Sequence, residues 1–283
     1  MRILFLTHFV WPHVGGVEKH VNRVVTELRQ NKHKVEIISE KNIKYSHIKF
    51  IGLLFIWFWL FRNRSLIKRS DIVHIHDVFI WYLPYRFLFP KKVVFTTFHG
   101  GQGKWPIPIK DKLLIKIAAK LSKRTICVGN FIPKYFGIKT DQVIYGGVDK
   151  NENTKIKKEK LIIFLGRLER ETGLNEFINK IKSKKNYTVE FIGDGTLRSI
   201  CEEHGIVRGF CDPIPFLKKA SICFAGGYLS ALEALEYRCE LWTGANTPVK
   251  IYYWKTFPYK KGDILPTWND VGKIYENIYL YNS

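Results

Sequence analysis

Short apolar runs rich in β-branched residues alternate with stretches of helical periodicity along almost the whole chain. This alternation limits the possible folds more than any other feature. The runs are RILFLT, KVEIIS, DIVHIHD, KVVFTTFH, TICVGN and QVIYGGV in the first half, then LIIFLGRL, TVEFIGD, the shorter IVRGF, SICFAGG and ELWTGA in the second. Between the first two, Val17, Val21, Val24, Val25 and Leu28 recur at helical spacing, and residues 111–123, 174–184, 197–204 and 229–238 repeat the pattern. Strands that are apolar throughout need cover on both faces, and helical crossovers supply it, so the expectation is an α/β chain with parallel sheets. The lysine-rich DKNENTKIKKEK separates the two sets of runs, and residues 150–160 read as a linker. With 283 residues the chain is long enough for two domains.

In open parallel sheets ligands sit beyond the carboxyl ends of the strands. Polar and glycine-rich punctuation falls at those ends here. His8 and Gly15-Gly16 follow the first run; His74, His76 and Asp77 close the third; His99, before Gly100-Gly101, closes the fourth. In the second half Gly166-Arg167, Gly193-Asp194-Gly195 and Gly226-Gly227 do the same. Six such endings across both halves point to a ligand held between two domains. Gly15-Gly16 reads equally well as a plain turn or as a place where a ligand phosphate approaches the backbone at a helix N-terminus. The dinucleotide fingerprint G-x-G-x-x-G is absent there. His74 and His76 share one face of a strand, but no third ligand has recognisable spacing, so a zinc site is not expected.

The chain carries 46 Lys+Arg against 25 Asp+Glu, a net charge of +21, which favours acidic partners. No nucleic-acid reading module is recognisable, and the aromatics lie mostly in apolar runs rather than among basic residues, so nucleic acid is not the expected partner. Cys127, Cys201, Cys211, Cys223 and Cys239 form no C-x-x-C pair and read as small apolar core residues of a reducing compartment. The first apolar run starts at residue 3 and behaves as a strand, not as a signal peptide. The segment IKFIGLLFIWFWLFRNRSLIKRSD is apolar from Ile51 to Phe61 and then basic. About a dozen helical residues reach roughly 18 Å, short of the ~30 Å hydrocarbon core, so it is not a span. A core helix satisfies the pattern. So does a helix lying in a membrane interface, with Trp57 and Trp59 at headgroup level and Arg62 and Arg64 toward anionic lipid. FIWYLPYRFLFPKK and GKWPIPIKDKLLIKIAAK repeat the basic-aromatic mixture. The expectation is a cytoplasmic protein, peripheral on the inner face of a membrane, with an anionic membrane surface as partner.

Taken in order, GGVEKHV, DIVHIHD, TTFHG and GGVD, then FLGRLERETGL, FIGDG and LSALEALEYR, resemble the retaining, nucleotide-sugar-dependent glycosyltransferases of family four. The likeness runs from Met1 to about Gly244. It implies two facing Rossmann-like domains of GT-B type: residues 1–149 binding the acceptor, 150–262 binding the nucleotide sugar, and a C-terminal helical segment, 263–283, that can pack back on the first domain. It implies transfer of a sugar from a nucleotide-diphosphate donor to a glycan or lipid-linked acceptor with retention of configuration, with no cofactor and no metal. By the same resemblance His99, Arg167 and Glu233 would serve catalysis. Gly15, Gly16, Arg167, Arg170, Gly193, Gly195, Leu229, Ser230 and Glu233 would hold the donor. Two positions depart from the family pattern: Thr172 stands where a lysine is usual, and Ala225 where the first glutamate of a pair is usual. They leave open a catalytically degenerate scaffold that acts as a binding or partner subunit.

Overall fold

Each of the eleven apolar runs forms a strand in the computed structural model, which describes residues 1–8, 15–43, 49–100, 105–151 and 157–281. The chain divides into two compact units, Met1–Ile144 with Asn269–Ser283, and Tyr145–Trp268. The first contains β1 (Arg2–Thr7), α1 (Gly16–Gln30), β2 (Lys34–Ile38), α2 (Lys49–Arg62), α3 (Arg64–Arg69), β3 (Ile72–His76), α4 (Phe79–Leu88), β4 (Val93–Phe98), α5 (Ile109–Leu121), β5 (Arg124–Cys127), α6 (Phe131–Phe136) and β6 (Gln142–Val143). The second contains β7 (Glu159–Leu165), a 3-10 turn (Arg170–Thr172), α7 (Leu174–Ile181), β8 (Thr188–Ile192), α8 (Arg198–Glu202), β9 (Ile206–Gly209), α9 (Ile214–Lys219), β10 (Ala220–Ala225), α10 (Tyr228–Glu236), β11 (Glu240–Trp242) and α11 (Pro248–Lys255). The last helix, α12 (Trp268–Leu280), lies from Asn269 onward with the first unit.

Among the described residues the first unit has a six-stranded sheet in the order β2-β1-β3-β4-β5-β6, and the second a five-stranded sheet in the order β11-β10-β7-β8-β9. All pairings are parallel. Each order contains one reversal. In the first sheet the chain leaves β2 and returns on the other side of β1 as β3; in the second it leaves β9 and returns on the other side of β7 as β10. At such a switch point the two connecting segments run to opposite faces and open a crevice at the carboxyl ends of the strands. The crevices therefore fall at β1/β3 and at β7/β10.

The apolar runs supply both cores. Phe164, Phe177, Phe191 and Phe224 pack on one face of the second sheet, and Ile163, Cys223, Leu217 and Ala234 on the other. Four of the five cysteines are buried as expected, whereas Cys211 is exposed in the loop after β9 and fills no core position. In the first unit, α12 lies against α1. A Cβ on Gly272 would stand 2.5 Å from the Cβ of Glu27, so the two helices approach as closely as glycine permits. Glu276 accepts hydrogen bonds from Asn31 Nδ2 at 2.9 Å and from His33 Nε2 at 2.8 Å. Tyr145–Lys150 goes with the second unit because Val148 bridges Thr267. Residues 152–156 of the expected linker lie outside the described residues.

Candidate functional site

The β7/β10 crevice gathers the candidate donor residues of the second unit. β7 ends at Leu165, and Gly166 and Arg167 follow; β10, its neighbour, ends at Ala225, and Gly226-Gly227 lead into α10. The Arg167 side chain is 58% exposed and meets Glu171 at 3.4 Å, a contact weak enough for an anion to replace. At the start of α10 the Tyr228 N–H donates to the Tyr253 hydroxyl at 2.7 Å, and Ser230 Oγ accepts from the Gly227 N–H at 3.0 Å. The N–H groups of Leu229 and Ser230, in the first turn, have no acceptor within the helix, and with the helix dipole they suit an anion. Glu233 is half-buried one turn further along the same face as Leu229. Arg170 is exposed on the 3-10 turn, with its carbonyl held by Asn246 Nδ2 at 2.8 Å.

The expected glycines have local structural causes. Gly193 has φ of 151°, and a Cβ there would lie 1.9 Å from the Gly166 carbonyl oxygen; on Gly195 it would lie 2.5 Å from that of Leu168. The backbones after β7 and β8 thus pass too closely for a side chain. On Gly15, the N-cap of α1, a Cβ would lie 2.3 Å from the Glu18 carboxylate, which is buried and folded back on the start of its own helix. A carboxylate thus already complements the positive end of the helix dipole at that N-terminus. Gly16 opens α1 and is exposed. The two departures from the family pattern are filled by packing. The Thr172 hydroxyl is shared between the carbonyls of Arg167, at 2.8 Å, and Glu169, at 2.6 Å; Ala225 is fully buried, opposite Leu165 in the sheet.

In the first unit, residues around the β1/β3 switch point form a buried cluster of histidines. His74 and His76 lie on one face of β3 with ring centroids 4.8 Å apart, stacked on Phe5 of β1. His76 Nδ1 is 3.0 Å from His99 Nε2, and His20 of α1 meets the His99 ring edge-on at 5.2 Å. From α12, the Tyr275 hydroxyl reaches His20 Nε2 at 2.9 Å and Thr97 Oγ1 at 3.1 Å, while the Tyr279 hydroxyl bonds His74 Nδ1. His74 Nε2 is 2.8 Å from Thr97 Oγ1. His99 is 7% exposed. Its N–H donates to Asp77 Oδ1 at 2.9 Å, so the carboxyl that follows β3 fixes the turn that follows β4. Asp77 has φ of 60°, a left-handed conformation that aspartate tolerates better than most residues.

Burial keeps the cluster uncharged, because an imidazolium without water around it is disfavoured. It draws His20 down to about 4 and His74 to about 3, and holds His76 and His99 well below the usual range. Repulsion among the rings adds to this for His74, His76 and His99. Burial raises Asp77 to about 6, against the hydrogen bonds it receives from His99 and Gly100. Among the described residues no three His, Cys, Asp or Glu side chains are gathered so as to hold a metal ion.

No helix among the described residues is long and apolar enough to cross a membrane. The α2 segment divides by face. Ile56 and Leu60 are buried, whereas Leu54, Phe55, Phe58 and Phe61 are exposed. Trp57 and Trp59 are half-buried. The Trp57 indole donates to the Ile80 carbonyl at 3.0 Å, and the Tyr85 hydroxyl donates to the Trp57 carbonyl, so this tryptophan is tied to α4. Arg62 and Arg64 are exposed, the latter 4.5 Å over the Phe61 ring. α4 packs between α2 and α5 and adds exposed Phe87 and Leu88, while α5 adds exposed Ile109, Leu113 and Leu114.

Two parallel α/β units, each with polar groups collected at its switch point, define the GT-B type of architecture. The family model for Glycosyltransferase Family 4 matches residues 14–152 of the chain. Among solved structures, HepE of Anabaena in complex with UDP-glucose is similar, with TM-score 0.66, 12% identity, and coverage of 99% of this chain and 90% of that one. The catalytic domain of starch synthase IV from Arabidopsis thaliana, bound to ADP and acarbose, gives TM-score 0.64, 11% identity and 99% coverage of both chains. UDP-GlcNAc 2-epimerase from Methanocaldococcus jannaschii gives TM-score 0.60, 11% identity, and coverage of 99% of this chain and 100% of that one. At these identities the likeness is one of fold, which transferases and epimerases share. No curated protein sequence matches the chain.

Proposed function

We propose that the protein is a retaining glycosyltransferase that moves a hexosyl group from a nucleotide-diphosphate sugar to a glycan or lipid-linked acceptor. The observation that carries this reading is the convergence of Arg167 and the α10 N-terminus on one switch-point crevice. A leaving nucleoside diphosphate needs oriented donors and positive charge as the glycosidic bond breaks, and this pair supplies both. The UDP-glucose and ADP in the similar structures support a nucleoside diphosphate as the donor's leaving group. Arg167, Leu229, Ser230 and Glu233 are the donor contacts, and the first unit, with His99, receives the acceptor. Cationic side chains and a helix terminus can carry the diphosphate charge, so no divalent metal and no cofactor is called for. The apolar and basic face of α2, α4 and α5 supports a peripheral position on the inner face of a membrane, where a lipid-linked acceptor resides.

A second reading, a degenerate scaffold that binds a donor or partner without transfer, is favoured by the packing roles of Thr172 and Ala225. One experiment separates the two. A panel of nucleotide sugars is screened for thermal stabilisation, then each binder is incubated with membrane-extracted lipid and glycan acceptors. A ligand at 100 times its Kd stabilises the folded state by about 2.7 kcal/mol. Transfer should follow for at least one binder, with the α-linkage of an α-linked donor kept in the product. Stabilisation without transfer would support the scaffold, and no stabilisation by any nucleotide sugar would overturn the transferase and leave only a scaffold that binds a partner.

A further inference from the structure

The crevice holds a second cation that the sequence motifs do not mark. α11 begins at Pro248, capped by Thr247, whose hydroxyl oxygen accepts from the Lys250 N–H at 3.1 Å. This places Lys250 in the first turn of α11 with its side chain directed inward, and the residue is 4% exposed. Its ammonium donates to the Gly226 carbonyl at 3.0 Å, and it lies 4.2 Å over the Tyr253 ring and 5.2 Å over that of Trp254. Gly226 is the residue between the end of β10 and the N-cap of α10. One turn along α11, the Tyr253 hydroxyl takes the Tyr228 N–H. Two side chains of one helix thus hold the turn that presents the α10 N-terminus. The Tyr228 and Tyr253 rings stack with centroids 3.5 Å apart, which fixes α11 against α10.

We propose that Lys250 belongs to the anion site formed by Arg167 and the α10 N-terminus, and that it becomes protonated when an anion binds there. The inference rests on the donor-binding reading of this crevice. Arg167, from the segment after β7, repels the Lys250 ammonium, while Glu171, from the 3-10 turn, attracts it. Tyr253 on its own helix meets it through the face of its ring, as a neutral phenol at pH 7. Burial is the largest influence and brings Lys250 down to about 7. An anion brought to a buried amine beside a second cation and the positive end of a helix favours the protonated form of that amine. A diphosphate is such an anion, and the proton comes from solvent.

The test follows the Lys250 Cε resonance by carbon NMR in the whole protein, assigned by its loss in Lys250→Met. The probes are sulfate and UDP-glucose, neither of which titrates near neutrality. An anion that binds the protonated form about tenfold more tightly raises the midpoint by about one pH unit. We expect that rise with both probes, and a smaller one in Arg167→Ala. Lys250→Arg, which keeps the charge, should bind the anion with no titration near neutrality. A shift with sulfate but with no nucleotide sugar in the panel would sustain the anion site and remove the donor reading. A midpoint that stays in place with sulfate and with every nucleotide sugar would overturn the role of Lys250, and any of those sugars that still binds would leave the donor reading standing.

Discussion

Four histidines that stay neutral inside a fold make its stability depend on pH. Their folded-state values lie below the ordinary 6.5, with His20 near 4 and His74 near 3. Between 6.5 and those values the unfolded chain binds more protons than the folded one. Stability is therefore fully present above about 6.5 and is lost as pH falls, at up to about 1.4 kcal/mol per pH unit for each histidine. Asp77, raised to about 6, acts in the opposite direction between its ordinary value of 3.8 and 6, but it is one group against four. The melting temperature should fall steeply from pH 6.5 to pH 4.5, and His20→Gln should flatten the slope. An unchanged melting temperature across that range would mean that the histidines are not buried as described. Of this cluster the sequence exposes part. His74 and His76 share a face by the two-residue period of a strand, and His99 sits at a strand end. His20 was a polar residue on the apolar face of α1, a signal that is visible but has several causes. Tyr275 and Tyr279 join from the far end of the chain, and no local pattern announces a contact across some 200 residues. Lys250 was hidden for the same reason: a single lysine in a basic chain carries no local mark of burial.

At the scale of elements, α2 tests what an apolar helix is for. Its sequence is apolar all round, which allows a core helix and puts an interfacial helix slightly ahead, and in the structure one side is buried while the other is exposed. The Ile56–Leu60 stripe packs inward, and Leu54, Phe55, Phe58 and Phe61 remain in solvent beside Arg62 and Arg64. Contiguous exposed apolar surface rimmed by charge marks an interaction site. Each basic residue near an anionic leaflet contributes about 1 kcal/mol, and exposed aromatics add a salt-resistant part. The protein should float with vesicles containing phosphatidylglycerol at low salt, and partly with them at high salt. Phe55→Ser/Phe58→Ser should remove the salt-resistant fraction and leave the fold intact, since neither side chain is packed inside. Trp57 is a poorer probe, because its indole is bonded to Ile80. Protein that stays in solution with anionic vesicles at low salt would contradict the membrane claim. Strands were the most legible elements, because a parallel strand buried on both faces is apolar without interruption. The cause of the glycines after β7 and β8 was not legible: the close approach of two backbones, seen at Gly193 and Gly195, is a property of sheet packing and not of either segment alone.

For the whole molecule, the order of strands organises the function. Two sheets, each with one reversal, place their loop chemistry at β1/β3 and at β7/β10. The fold class was legible because eleven apolar runs alternate with helices; the positions of the reversals were not, since strand order depends on which crossovers cover which face. The net charge of +21 suits both a diphosphate donor and an anionic surface. The central claim is that the second unit binds a nucleoside diphosphate through Arg167 and the α10 N-terminus. Calorimetric titration of wild type and Arg167→Ala with UDP, ADP and GDP tests it most directly. A charged hydrogen bond contributes roughly 1.5–3 kcal/mol, and the exposure of Arg167 argues for the lower end, so the variant should bind the preferred nucleotide about tenfold more weakly with its melting temperature unchanged. Equal affinity in the two proteins, or no binding of any nucleoside diphosphate by wild type, would contradict the account.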